Sequence, residues 1–465
     1  MKRIFSTIAA TIAAFFVSNA AGPAPTTVAH PVWSHNAVIY EINTRQYTPD
    51  GTFKAFAKEL PRLRDLGVDI LWFMPIHPIS EVNRKGELGS YYAVADYKGV
   101  NPEFGSLADF KALVELAHKS GMKVILDWVP NHTGCDHPWV KEHPDYYARN
   151  DKNEMFGPFD WTDVYKLDYS NPATRQAMAD AMEFWLREVG IDGFRCDVAG
   201  QVPCDFWNEV RPRLEAAAGR PVFMLAEDSQ PTLVEHAFDM DYNWPMKDLF
   251  SAIAATSGQY TFDTSHKFDT HRANAIDSLV EQQQRTFAPG CYLMNMTSNH
   301  DLNSWEGTEF ERLGILAPAF AVIAHTLPGM PLIYTGQETG LNRAFEFFKK
   351  DIAPDWEPRN DYFSFYKKLN ALKHNRLELT AGFTGGSYTP VKITDSPDVV
   401  AYSRERNGKG TFVAANLGKE NVAISTPASI KAWSDKTDAF TDTEIDSLSA
   451  VLAPGQYIIF TYNAK

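Results

Sequence analysis

Cysteine is scarce in this chain. Its 465 residues carry four, Cys135, Cys196, Cys204 and Cys291, too few for a disulfide scaffold to replace a hydrophobic core. One isolated bridge, Cys135 with Cys204, is the pairing considered. Basic residues are in deficit too: 44 Lys and Arg face 58 Asp and Glu, and the net charge of -14 repels phosphate backbones and anionic lipid, which argues against nucleic acid as a partner. No low-complexity tract and no solenoid-type repeat is present, so neither long disorder nor a repeat architecture is expected. Long apolar runs are missing with one exception. Met1-Lys2-Arg3 is followed by an apolar stretch from Ile4 to Val17 and by small residues at Ser18, Ala20 and Ala21. That is the layout of a secretory signal cut near Ala20. The run is shorter than the roughly 20 residues a membrane span needs, and no Cys follows it to carry a lipid. Export to the periplasm or medium is therefore expected, with no integral membrane segment after signal removal.

What is present is rhythm. From Val38 onward, short runs rich in β-branched and aromatic residues alternate with longer segments of helical period, the pattern of repeated βα units around a parallel sheet. The runs are Val38-Ile42, Ile70-Met74, Lys123-Trp128, Gly193-Val198, Val222-Ala226, Ala237-Asp241, Tyr292-Thr297 and Pro331-Tyr334. Eight such strands predict a closed α/β barrel, a (β/α)8 TIM barrel. Leu107 to Lys119 is a clear helix, apolar at Phe110, Leu113, Val114 and Ala117 and stopped by Gly121. Residues 133–165 break the rhythm and are expected to form a short excursion after the third strand. After Arg376 helical period ceases, and Val399-Ser403, Gly410-Asn416 and Gln456-Tyr462 predict an antiparallel β-sandwich. The expected division is a leader over 1–20, a barrel over 30–376 and the β-domain over 377–465. The length and composition carry no signal of oligomeric state.

Barrel enzymes place their chemistry at the carboxyl ends of the strands. Acids stand there repeatedly: Asp127 ends the third strand, Arg195 and Asp197 the fourth, Glu227 the fifth, and His300-Asp301 follow the seventh. A carboxylate buried beside a barrel core is costly unless it has a partner or a task. One alone reads as half of an ion pair; several converging on one rim read as a site. The 11 Trp and 19 Tyr add flat faces suited to sugar rings, although most large aromatics serve as core.

Four segments carry a resemblance. Asp127-Trp128-Val129-Pro130-Asn131-His132, Gly193-Phe194-Arg195-Cys196-Asp197, Ala226-Glu227 and Asn299-His300-Asp301 are similar, in order and strand placement, to the four signatures of glycoside hydrolase family 13, the α-amylase family. The resemblance covers roughly residues 36 to 465. It implies that Asp197 is the nucleophile, Glu227 the general acid and base, and Asp301 the carboxylate that binds sugar hydroxyls. It further implies that Tyr92 stacks on the sugar being cleaved, that His132 and His300 bind its hydroxyls, and that Asp355 and Arg359 clamp the non-reducing side. Gly336-Gln337-Glu338 also fits the family, in a structural role. A retaining glycosidase needs one carboxylate to attack and one carboxylic acid to protonate the departing oxygen. Arg195, two residues before Asp197 and so on the same strand face, should hold Asp197 ionised. Glu227, near two other carboxylates, should have a raised pKa.

Two departures from the family pattern matter. Gly200-Gln201 stand where many α-amylases carry Lys-His, so acceptor contacts differ, and the segment resembles neopullulanases, cyclomaltodextrinases and other oligosaccharide-active members. The family's calcium is implied to sit at Asn131 and an Asp of the excursion, but in Tyr165-Lys166-Leu167-Asp168 it is Lys166 that stands at that place. An ammonium can satisfy the same oxygen ligands, so no cofactor and no metal ligand is expected, with a displaced calcium site left open by the acids of the excursion. The expected partner is an α-glucan or maltooligosaccharide, cleaved mainly at α-1,4 bonds. Glucan transfer and α-1,6 cleavage are the alternatives within the family, and a catalytically inactive sugar-binding relative is the alternative outside enzymes. Trp433 is a candidate exposed aromatic of the β-domain.

Overall fold

The computed structural model describes residues 22–356, 361–448 and 450–464. The proposed leader and Arg359 lie outside them. Eight parallel strands close into a barrel: β1 (Ile39–Ile42), β2 (Ile70–Phe73), β3 (Lys123–Trp128), β6 (Gly193–Cys196), β7 (Phe223–Ala226), β8 (Met240–Tyr242), β9 (Tyr292–Asn295) and β10 (Met330–Tyr334), with β10 returning to pair with β1. The missing numbers in this series, β4 (His132–Gly134) and β5 (Val164–Lys166), form an antiparallel hairpin that frames the excursion after β3. All eight barrel strands coincide with an apolar run of the sequence. Six run shorter than their sequence signal, and for two of these the chain shows why. β6 ends at Cys196 because the chain leaves extended geometry at Val198, and β8 begins only at Met240 because Leu233–His236 coils into one helical turn first.

The helices follow from local signals. Leu107–Lys119 opens with a reciprocal cap between Ser106 and Asp109, buries Phe110, Leu113, Val114 and Ala117, and is followed by Gly121 at φ +79°, a left-handed conformation open to glycine at little cost. Pro172–Phe184 opens on Asn171, whose side chain accepts from the Ala173 N–H. Inside the barrel, Ile39, Trp72, Ile125, Leu225, Tyr242 and Met294 pack against one another, while the outer faces of the strands pack against the helices. The barrel is thus a filled core, not a pore.

After the barrel, β11 (Ser387–Pro390), β12 (Val399–Arg406), β13 (Lys409–Asn416), β15 (Ser434–Asp438) and β17 (Tyr457–Asn463) form a five-stranded antiparallel sheet in the order β11-β12-β13-β17-β15. A second sheet of β14 (Val422–Ile424) and β16 (Ala450–Leu452) shares its core, where Ile424 and Leu452 meet Phe412 and Phe460. A short helix, Ala428–Ala432, interrupts these strands, contrary to the all-strand expectation. Trp433 is not an exposed platform. It is half-buried and stacks on Tyr462 with ring centroids 3.8 Å apart. The considered Cys135–Cys204 bridge does not form: all four cysteines are free, and the two sulfurs face different loop carbonyls, of Thr162 and Thr232. Among the described residues no helix is long and apolar enough to cross a membrane.

Candidate active site

The site is organised by one guanidinium. Arg195 is wholly buried, and its Nη1 donates to Asp127 Oδ1 at 2.8 Å and to Asp197 Oδ1 at 3.0 Å. Its Nε donates to the Tyr242 hydroxyl at 3.0 Å. Nη2 approaches Glu227 Oε1 to 2.9 Å, an ionic contact in which no N–H points at the oxygen, so that nitrogen keeps an unspent donor. Register explains the convergence. Asp127 on β3 pairs with Arg195 on β6, and Cys196 pairs with Ala226 on β7. Asp197 and Glu227, the next residue on each strand, therefore emerge side by side at the carboxyl rim. Trp72, Tyr92 and Tyr242 ring the cation, with centroids 5.2, 5.9 and 5.5 Å from its central carbon.

Burial and charge set the protonation of this cluster. Burial pushes the Glu227 carboxyl well above the usual carboxylate range. Arg195 opposes the shift, and the charges of Asp197 and Asp301 add to it. Asp127 rises to about 7 because burial and the Asp197 charge outweigh Arg195. Asp127 Oδ2 also accepts from Trp72 Nε1 at 3.2 Å and from the Tyr92 hydroxyl at 3.0 Å, which fixes the floor of the site.

Between the two central carboxyls the backbone is strained. Val198, directly after Asp197, sits at φ +39° and ψ +48°, a left-handed conformation that is an outlier for a β-branched residue. This turn aims its N–H at Glu227 Oε2, 2.8 Å away. One carboxyl oxygen of Glu227 is thus held as an acceptor.

The remaining residues singled out in the sequence lie in different settings. Tyr92 and His300 belong to the cluster: the Tyr92 hydroxyl lies 2.7 Å from His300 Nε2, and the rings are near parallel at 5.4 Å. His132 is buried at the start of β4, within reach of the Asp197 charge, and burial lowers its pKa and favours the neutral ring. Asp301 stands at the mouth, 38% exposed, with Oδ2 3.4 Å from His300 Nε2. Asp355 is exposed on the loop after β10, and its expected partner Arg359 lies outside the described residues. Glu338 is structural, pairing at 2.8 Å with Arg62 and accepting from Tyr40 beneath the barrel wall.

Three residues escaped the sequence reading. Glu41 at the end of β1 is wholly buried and pairs with His300 Nδ1. Burial disfavours the His300 imidazolium, but Asp301 and Glu41 outweigh it and carry the pKa up to about 9. The signal was available, since Glu41 is an acid inside the apolar strand Ile39-Tyr40-Glu41-Ile42. Trp72 and Tyr242 read as core because each sits in an apolar strand, and only the closed barrel turns their polar tips toward Asp127 and Arg195.

At the place expected for calcium, Lys166 stands opposite His132 in the β4–β5 hairpin, and the Asn131 carbonyl accepts from Leu167. Among the described residues no group of three or more His, Cys, Asp or Glu side chains is placed to hold a metal ion. On the other side, a Cβ at Gly200 would stand 2.0 Å from Asp228 Oδ2 and 2.2 Å from Gln230 Nε2, so a side chain there would displace both of these side-chain ends.

Comparison with known proteins agrees with this geometry. The α-amylase catalytic domain model matches residues 18–361. Alpha-amylase MalA of Haloarcula japonica is 28% identical over 416 residues, which span 86% of this chain and 58% of the relative. Neopullulanase 2 of Thermoactinomyces vulgaris is 29% identical over 405 residues, 76% of this chain and 65% of the relative. The chain thus spans less than two thirds of the length of either. Among solved structures, an α-amylase from Lactobacillus plantarum superposes with a TM-score of 0.78 at 30% identity, covering 92% of this chain and 99% of that one. A closed barrel whose third, fourth and fifth strands deliver Asp127, Arg195, Asp197 and Glu227 to one rim, matched over most of its length, belongs to the α-amylase family, glycoside hydrolase family 13.

Proposed function

We propose that this protein is an exported, calcium-independent, retaining hydrolase of α-glucosidic bonds, mainly α-1,4, in starch-derived glucans and maltooligosaccharides. The observation that carries the reading is the single buried guanidinium of Arg195 in contact with Asp127, Asp197 and Glu227. It pairs with the attacking carboxylate while burial keeps the neighbouring carboxyl protonated, the two states a retaining mechanism needs at once.

Asp197 attacks the anomeric carbon as Glu227 gives its proton to the glycosidic oxygen. The C–O bond breaks, its electrons pass to the departing sugar, and a glycosyl ester forms on Asp197. Glu227, now a carboxylate, takes a proton from water, whose oxygen attacks the same carbon from the side the first sugar left, and Asp197 is released. Two inversions give net retention. Asp301, His132 and His300 bind hydroxyls of the glucose being cleaved, and Tyr92 stacks on its face. With a sugar hydroxyl in place of water the same intermediate gives transfer.

Export is supported by the basic start and apolar run of the first 20 residues, and N-terminal sequencing of the mature protein tests it. Calcium independence is supported by Lys166 at the expected ligand position, and chelator-sensitive activity restored by added calcium would contradict it. Substrate and reaction are tested by incubating the purified protein with starch, pullulan, cyclodextrin and isomaltose and resolving the products. Shorter maltooligosaccharides are expected. Products longer than the substrate would show transfer, and cleavage of isomaltose alone would move the specificity to α-1,6.

A further inference from the structure

We propose that Trp305, backed by Phe347, is a second sugar platform, which stacks on the glucose unit next to the one at Tyr92 and makes longer maltooligosaccharides the better substrates. The inference rests on the function proposed above and extends its binding site.

Trp305 is the most exposed tryptophan among the described residues, at 39%, and it lies on the one-turn helix Leu302–Glu306 that leads directly from Asp301. A single exposed apolar side chain is ordinary; what distinguishes Trp305 is the aromatic set it joins. Its surroundings suit a sugar. The ring lies 5.2 Å from that of Phe347, which in turn runs nearly parallel to Tyr92, 12° apart at 6.5 Å. Phe347 is buried and links the two rings that reach solvent, Tyr92 and, tilted 45° to Phe347, Trp305; the three form one aromatic set from the catalytic cluster to the lip.

The set is built in advance of any ligand. Its three parts come from three loops, after β2, β9 and β10, and buried hydrogen bonds lash these loops together. Arg45 Nη1 donates to the carbonyls of Gly89 and Phe347 at 3.3 and 3.2 Å. The Leu88 N–H donates to the Phe348 carbonyl at 2.8 Å. Asn303, two residues before Trp305, accepts from the Phe345 N–H at 2.9 Å and donates to the Arg343 carbonyl at 3.3 Å. Aromatic faces fixed before binding lose little entropy on stacking, which is the condition under which they add affinity.

The test compares kcat/KM from maltose to maltohexaose for the wild-type protein, Trp305→Ala and Trp305→Phe. Trp305→Ala is expected to lower the value for maltohexaose about tenfold and that for maltose less than about twofold, with Trp305→Phe close to wild type. Binding without turnover gives a second reading: in a Glu227→Gln background, Trp305→Ala should weaken maltohexaose affinity by a similar factor. Equal losses at every chain length, or none at any, would overturn the platform while leaving the hydrolase intact. Failure of the wild-type protein to cleave any of these sugars would instead overturn the function on which the platform rests.

Discussion

Replacing Glu41 by Gln removes the one buried anion that pairs with His300 Nδ1 and keeps the size of the side chain. The pair stabilises the fold in a pH-dependent way, because His300 rises from its ordinary 6.5 to about 9 in the folded protein. A raised histidine pKa contributes stability that is complete below the unfolded value and lost as pH climbs through the folded one. At pH 7 the linkage between about 9 and 6.5 amounts to roughly 2–3 kcal/mol, shared between Glu41 and Asp301, and at pH 10 it is near zero. Burial raises the pKa of the Glu41 carboxyl itself, so removing that charge offsets part of the loss. Glu41→Gln should destabilise the protein by no more than about 2 kcal/mol at pH 7 and should be neutral or stabilising at pH 10, where wild type keeps the buried carboxylate without an imidazolium. Urea unfolding of both proteins at the two pH values measures the combined effect of His300 and Glu41, since titrations at other sites cancel in the difference. By NMR, the His300 titration in the variant should move to lower pH, since burial then acts with less opposition. An equal loss of stability at both pH values, or an unmoved titration, would refute the reasoning and reduce Glu41 to a packing residue.

Other consequences follow from the same cluster. Glu227→Gln should lower kcat by about 10²–10⁴-fold, and Asp197→Asn should abolish turnover, each with a melting temperature near wild type because Arg195 keeps Asp127 and one further partner. The alkaline limb of kcat/KM should report loss of the Glu227 proton. Since the Asp301 charge helps to raise that carboxyl, Asp301→Asn should shift the limb of the residual activity to lower pH, and a shift to higher pH would contradict the assignment. Trp433→Ala breaks the stack on Tyr462 and should cost about 2–3 kcal/mol of stability for a half-buried tryptophan, while binding of the protein to starch granules stays as in wild type.

The barrel was legible because its strands are short apolar runs at regular spacing, a signal that survives without knowledge of contacts. Asp127, Arg195, Asp197 and Glu227 were legible for a related reason: each is polar at the end of such a run, where a core offers no place for it. Glu41 stands one residue before the end of its strand, as Asp127 does, and the same criterion applied to Ile39-Tyr40-Glu41-Ile42 finds it. Trp72 and Tyr242 were not legible, since a buried aromatic on a strand is ordinary core until register brings its polar tip to a charge. Val198 was equally hidden. Its left-handed backbone has no sequence signal, because it is imposed by the closure of β6 against β7 and by the Glu227 carboxyl that takes its N–H. The Cys135–Cys204 pairing failed because spacing alone says nothing of where two loops end.

The most direct test of the central claim, that Asp197 and Glu227 work as nucleophile and acid on one side of Arg195, is the anomeric form of the first product. Maltooligosaccharide cleavage followed by proton NMR should release the α-anomer at the new reducing end before mutarotation. Initial release of the β-anomer would mean a single inverting displacement and would contradict the account.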